Sequence, residues 1–269
     1  MKKDINLLSL KKSQREKIVS LTAYDFMTAR LEEESGVDFI LVGDSMAMAV
    51  FGEENTLAAD IDVMIAHTKA VSKGAPHTLV IGDMPFGSYE ESDSLAVRNA
   101  ARFVSEGGAD AVKLEGGDSR SVSRVRAITA SGIPVMGHVG LLPQSIAETG
   151  GYRVVYGDKR AELFEEAFAL EEAGVFSMVL EGIEEELARE LTLELEVPAI
   201  GIGAGRYTDG QILVVNDLLG LSGGFNPKFI KKYVRLDGII LEAFREFSRE
   251  VRNGEFPAEN NVYHSKEKK

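Results

Sequence analysis

Four carboxylates stand where short apolar runs stop. Phe39-Ile40-Leu41-Val42-Gly43 ends at Asp44, and Thr78-Leu79-Val80-Ile81-Gly82 ends at Asp83. Ala111-Val112-Lys113-Leu114 runs into Glu115, and Ser177-Met178-Val179-Leu180 into Glu181. A buried strand normally excludes charge, because an unpaired ion there loses its hydration. Where several strands of a parallel sheet end in acids, those ends converge on one site. Acids brought together repel one another unless a cation or shared protons relieve them. The pattern points to a divalent metal and to an enzyme.

Asp44 and Asp83 share one arrangement, an apolar run, a Gly and then the Asp. The Gly is expected to let the backbone pass close to a ligand. Oxygen donors without Cys or paired His favour Mg²⁺ or Mn²⁺ over Zn²⁺. Either Asp alone could equally cap a following helix; the two together with Glu115 shift the balance toward metal. Lys113 and Glu115 are two apart on one run and so share a face, inward in a barrel. They could form a structural pair. Alternatively, Lys113 meets the negative end of a substrate while Glu115 takes the metal or its waters. Lys113 as a Schiff-base nucleophile would leave the metal-type acids redundant. Glu181 ends a mostly apolar run, which suits a general base or acid, although with Glu184, Glu185 and Glu186 it could also serve a helix N-terminus. His138, in Met136-Gly137-His138-Val139-Gly140, is the one histidine at a run's end and could donate a hydrogen bond or shuttle a proton. His67 and His77 read as structural and His264 as part of the tail. Gly201-Ile202-Gly203-Ala204-Gly205 reads as a tight turn rather than a phosphate loop.

The elements that must position these residues alternate in type along the chain. Candidate strands are Ile18-Tyr24, Val37-Val42, Thr78-Asp83, Ala111-Glu115, Pro134-His138, Phe176-Glu181, Pro198-Ile202 and Ile212-Val215. Helical stretches between them include Ser94-Glu106, Ser119-Ser131, Arg160-Ala173 and Glu184-Glu194, most ending at Gly, as helices do. Eight strand-like runs in strict alternation predict an α/β protein, a (β/α)₈ TIM barrel. A doubly wound sheet is the weaker reading, since no Gly-x-Gly-x-x-Gly follows the first run. No linker interrupts residues 1–269, so one domain is expected. A polar helix over about 1–16 would cap the barrel bottom, and a charged tail would span about 252–269. Leu142-Asp158 is too long for a simple βα turn and is expected to be a lid.

Composition narrows the partners. With 43 acidic against 30 basic residues the formal charge is −13, which disfavours nucleic acid and anionic membranes. Cysteine is absent, which removes disulfides and thiolate chemistry. The start, Met1-Lys2-Lys3-Asp4, has no apolar run behind it, and no stretch approaches the roughly 20 apolar residues of a membrane span. The cytoplasm is the expected location.

Several segments carry a resemblance. Thr22-Ala23-Tyr24-Asp25, Val42-Gly43-Asp44-Ser45, Asp83-Met84-Pro85-Phe86 and Val112-Lys113-Leu114-Glu115-Gly116-Gly117 resemble the ketopantoate hydroxymethyltransferase family. So do the run from Gly137-His138-Val139-Gly140 to Leu141-Leu142-Pro143-Gln144-Ser145, Gly150-Gly151-Tyr152, Ile200 to Gly205, and Thr208-Asp209-Gly210-Gln211. The chain departs from the family pattern at Glu53, Ala58-Ala59-Asp60, Leu142 and Tyr152-Gly157.

The resemblance implies a barrel that moves a one-carbon unit from 5,10-methylenetetrahydrofolate to 3-methyl-2-oxobutanoate, through a Mg²⁺-stabilised enolate, in the first step toward pantothenate. It implies Mg²⁺ on Asp44, Asp83 and Glu115, oxo-acid contacts from Asp44, Ser45, Asp83 and Lys113, and Glu181 as proton acceptor. His138 and Tyr24 are secondary candidates. A homo-oligomer, a decamer in this family, is implied too. Two other readings stand beside it. A Mg²⁺-dependent lyase or mutase of the phosphoenolpyruvate mutase/isocitrate lyase group would need a Cys-containing loop this chain lacks. A silent metal-binding barrel would be expected to have lost Lys113 or Glu181.

Overall fold

A computed structural model describes residues 2–145, 151, 153–223 and 227–264. The eight strands are β1 (Ile18–Thr22), β2 (Phe39–Val42), β3 (Leu79–Asp83), β4 (Ala111–Lys113), β5 (Val135–Gly140), β6 (Ser177–Glu181), β7 (Ala199–Ile202) and β8 (Gly210–Leu213). Each pairs in parallel with its sequence neighbours, and β8 closes on β1, so the expected barrel is the one observed.

Helices alternate with the strands: α1 (Ile5–Gln14), α2 (Phe26–Ser35), α3 (Met46–Ala49), α4 (Ile61–Gly74), α5 (Asp93–Ser105), α6 (Ser119–Ala130), α7 (Arg160–Glu172) and α8 (Glu185–Glu194). Their starts are set by side chains that satisfy otherwise orphaned N–H groups. Asp25 accepts from Met27 and Thr28, Asp60 from Asp62 and Val63, Ser92 from Leu95 and Asp118 from Ser121.

The inner face of the barrel explains how acids come to lie in an apolar fold. Side chains two apart on a strand share a face, and each inward row begins apolar. Leu79, Ile81, Ala111, Met136 and Val179 join Ile18, Phe39, Leu41, Ile200 and Ile212 in one buried cluster, with Leu8 of α1 packed among them. Continued by two residues, the same rows reach Asp83, Lys113 and then Glu115, His138, and Glu181. The apolar layers hold the barrel shut, and the ionic layer sits above them at the C-terminal ends. Gly82 plays a different part from the ligand approach expected of it. A Cβ there would stand 2.4 Å from the Phe103 ring of α5, so the missing side chain serves strand–helix packing.

Contacts divide the chain into two compact units, Met1–Val215 with Pro227–Ile230, and Asn216–Asn226 with Lys231–Lys269. The second contains most of α9 (Val215–Leu219) and all of α10 (Leu236–Asn253), none of whose residues is buried. Helix α10 runs into the region expected as tail and stops at Gly254, whose φ of 70° suits a residue without Cβ. Of the expected lid, the described parts are turns at Pro143–Ser145 and Gly157–Lys159 and the stretch 153–156. Residues 146–150 and 152, and with them the lid reading, lie outside the described residues. Among the described residues no helix is long and apolar enough to cross a membrane.

Candidate active site

At the C-terminal mouth the structure brings Asp44, Asp83, Lys113 and Glu115 together, all buried. Asp83 and Lys113 are register partners on β3 and β4, and Lys113 Nζ donates to Asp83 Oδ1 at 2.7 Å. The same ammonium stands 3.8 Å from Glu115 Oε1. Asp83 Oδ2 accepts the backbone N–H of Asp44 at 3.1 Å. Neither Asp44 nor Asp83 caps a helix: Ser45 holds the N-cap position of α3, without a side-chain cap bond. That distinguishes them from Asp25, Asp60 and Asp118, and it removes the capping alternative.

Charge in this layer is frustrated. Burial, then Asp83 and Glu115, push Asp44 well above the usual carboxylate range, against the pull of Lys113 and Gln144. Burial and Glu115 raise Asp83 also, although Lys113 opposes them. Burial alone would lower Lys113, but Asp83, Glu115 and Asp44 outweigh it and hold the ammonium protonated. Glu115 is the exception: burial works against its charge, yet His138, Lys113 and the Gln144 N–H hold it below the usual value.

His138 lies between two acids. Its Nδ1 is 3.4 Å from Glu115 Oε1 and its Nε2 is 3.4 Å from Glu181 Oε2. Both are longer than a closed N–H···O bond, and neither ring nitrogen has another partner. Burial disfavours the charged ring, but the two carboxylates prevail and push His138 up to about 9. A ring that offers a proton at both nitrogens is the imidazolium form. Glu181, at the end of β6 with its side chain 21% exposed, is the one acid of this group open to the mouth.

Tyr24 and Ser45 sit beside the cluster rather than in it. Thr22 Oγ1 donates to Tyr24 Oη at 2.9 Å, and Tyr24 Oη lies 2.9 Å from Ser45 Oγ, so a buried hydroxyl chain fixes the start of α3 next to Asp44.

Two residues without an assigned role from sequence complete the layer. Gln144, in the turn after β5, donates from Nε2 to Asp44 Oδ2 at 2.9 Å and to Met84 O at 3.1 Å. Its backbone N–H donates to Glu115 Oε2 at 3.0 Å. Tyr89 Oη donates to Gln144 Oε1 at 2.6 Å and accepts the Glu115 N–H at 3.3 Å. Gln144 is thus tied to two acids that come from different strands.

The surroundings of the three acids bear on whether they suit a metal. Among the described residues no three acid or histidine side chains stand close enough to enclose an ion as they are. Their chemistry nevertheless fits a hard divalent cation. They offer only oxygen, two are driven toward protonation by burial and by neighbouring acids, and the buried Glu115 Oε1 has no hydrogen bond.

Comparison with known proteins bears on the family and the fold. A family model described as ketopantoate hydroxymethyltransferase matches residues 2–259. A 3-methyl-2-oxobutanoate hydroxymethyltransferase of Syntrophomonas wolfei is 50% identical over 98% of this chain and 96% of its own length. One from Pseudothermotoga lettingae is 55% identical over 91% and 93%. Among solved structures, 2,3-dimethylmalate lyase, a member of the PEP mutase/isocitrate lyase superfamily, is similar in fold at a TM-score of 0.63. It shares 20% identity over 98% of this chain and 92% of that one. Phosphonopyruvate hydrolase in complex with oxalate and Mg²⁺ has the same TM-score, at 14% identity over 97% and 93%.

Proposed function

We propose, for a chain that belongs to the ketopantoate hydroxymethyltransferase family, that the buried ionic layer transfers a hydroxymethyl unit from 5,10-methylenetetrahydrofolate to 3-methyl-2-oxobutanoate, giving ketopantoate for pantothenate synthesis. One observation supports the site above the rest. The inward rows of β3, β4, β5 and β6 turn from apolar to ionic at the same level and bring Asp83, Lys113, Glu115, His138 and Glu181 to one mouth.

A divalent cation, Mg²⁺ by the hardness of the donors, would be held by Asp44, Asp83 and Glu115 and would stabilise negative charge developing on the keto oxygen. Lys113, fixed against Asp83 as an ammonium, offers a buried positive charge to the substrate carboxylate. A protonated lysine is a poor Schiff-base nucleophile, so its surroundings oppose the imine route. Ser45, held by Tyr24, presents a hydroxyl beside Asp44 for the oxo acid. Glu181 is the base that takes the C3 proton. His138 stands between it and Glu115, 3.4 Å from each, so one charged ring faces both the base and the metal-site acid. The lyase and mutase reading is not favoured, since those structures share the fold at 20% identity or less.

We also place this chain in a homo-oligomer in the cytoplasm. Within the second unit, Phe244, Phe247 and Val251 form a helical stripe on α10 and are 65%, 56% and 47% exposed, an apolar face of the kind that a further copy covers. The family's decamer is the expected assembly, and the mass of the particle in solution tests it.

The site is tested by exchange of the C3 proton of 3-methyl-2-oxobutanoate in deuterated water, with Mg²⁺ and without folate. Glu181→Gln should bind the oxo acid, yet lose exchange and turnover together by about 10²–10⁴-fold. Near-normal exchange in that variant would move the base elsewhere.

A further inference from the structure

Above the ionic layer the mouth opens into a cleft of about 1110 Å³, with Glu115 and Gln144 among its lining and Val154, Tyr156 and Arg153 along its outer part. Small-molecule sites commonly enclose about 300–1,000 Å³, and a five-carbon oxo acid occupies only a small part of that. We infer that this cleft seats the folate co-substrate, with Glu166 accepting from the pyrimidine edge of the pterin and Arg153 donating to the glutamate carboxylate of its tail. The inference rests on the transferase reading above, which requires a one-carbon donor to reach the oxo acid's C3.

Among the cations and the half-buried carboxylates that line the cleft, these two residues stand out. Arg124 is engaged by Asp93 and by the carbonyls of Tyr89 and Glu90, Arg120 pairs with Asp118, and Lys159 pairs with Glu162. Arg153 is exposed and, among the described residues, has no ion pair. On the acidic side, Glu90 accepts the N–H groups of Gly87 and Tyr89, and Asp118 caps α6. Glu166 is half-buried and, among the described residues, has neither a hydrogen bond nor an ion pair. Burial and the acids Glu162, Asp118 and Glu165 raise its pKa, which marks a carboxylate short of donors.

Placement and shape agree with that choice. Helix α7 approaches the β4 loop so closely that a Cβ on Gly117 would lie 2.4 Å from Glu166 Cβ. Glu166 therefore stands beside the backbone two residues beyond Glu115. A 2-amino-4-oxopyrimidine presents two parallel N–H donors, the pattern that a carboxylate accepts in bidentate fashion. Large apolar side chains flank the path: Phe86, Val154 and Tyr156 line the cleft although 51%, 46% and 57% exposed. They suit the flat pterin and aminobenzoyl rings that lie between the two polar ends.

The test compares wild type, Glu166→Gln and Arg153→Met with two donors, methylenetetrahydrofolate and methylenetetrahydropteroate, which lacks the glutamate. Folate-free C3 exchange is measured alongside. Glu166→Gln should raise KM for both donors by about tenfold or more, with KM for the oxo acid and C3 exchange within about twofold of wild type. Arg153→Met should erase the wild-type preference for the glutamate-bearing donor and leave the pteroate donor unaffected. Unchanged donor KM in both variants, or C3 exchange falling in proportion to turnover, would overturn the assignment. A wild type that exchanges no C3 proton and uses no folate would instead overturn the transferase reading itself.

Discussion

Glu32 offers a test of the electrostatic reasoning at a place remote from catalysis. It lies on α2, is 4% exposed, and neither carboxylate oxygen has a hydrogen-bond partner. Burial, with the charge of Asp25 adding to it, pushes its pKa from 4.5 up to about 8. The folded chain therefore keeps this proton across a range in which the unfolded chain has released it. A state that binds more protons loses ground as pH rises, so Glu32 lowers stability progressively from pH 4.5 to about 8 and by a constant amount above. At about 1.4 kcal/mol per pH unit, that window corresponds to an upper limit of about 5 kcal/mol. Relaxation and water entry reduce the figure, and about 2–4 kcal/mol is expected. Glu32→Gln stays neutral at every pH. The assay is unfolding of both proteins at one fixed concentration from pH 4.5 to 9, because association makes the midpoint concentration-dependent. The variant should gain steadily on the wild type up to about pH 8 and then hold its lead. Any constant cost of burying an amide shifts the whole curve and leaves its slope alone. A difference that stays level within about 0.5 kcal/mol from pH 5 to 8.5 would refute the reasoning.

Three further outcomes concern the ionic layer. Gln144→Leu removes the bonds to Asp44, Met84 and Tyr89 while keeping bulk; calorimetry should find Mg²⁺ bound about 10–100-fold more weakly, and unchanged affinity would show that Gln144 positions nothing. Lys113→Met leaves Asp83 without its buried partner and should cost about 3–5 kcal/mol of stability as well as oxo-acid binding. Borohydride added to wild type with the oxo acid should leave the protein mass unchanged, whereas an adduct on Lys113 would reinstate the imine route.

What the sequence disclosed follows from what local patterns can encode. The apolar runs fixed all eight strands to within about two residues of where they lie, and acids ending those runs marked the mouth because charge next to a buried strand is costly without a purpose. Strand β8 is the one displaced by two residues at both ends. It begins at Gly210, where a Cβ would stand 2.5 Å from Ile18 O, and continues with Gln211, so its first half carries no apolar signal. The constraint that makes Gly210 a strand residue comes from β1, nearly two hundred positions earlier.

Gln144 shows the same limit at the site. It is neutral, sits in a turn, and acts on Asp44 across 100 positions of sequence. A charge announces itself by the desolvation it would suffer, and the strand-end acids were found that way. A neutral amide gives no such warning. Its function lies in joining groups that only the closed barrel brings within 3 Å, Asp44 after β2 and Glu115 after β4. The same reasoning applies to Tyr89, whose hydroxyl both donates to Gln144 and receives the Glu115 N–H. The acids state which chemistry is available, while the neutral residues hold them at a fixed spacing. That division predicts opposite signatures. Loss of an acid should abolish metal binding, whereas loss of Gln144 should leave the metal bound but loosely, with Asp44 and Glu115 no longer tied to a common residue.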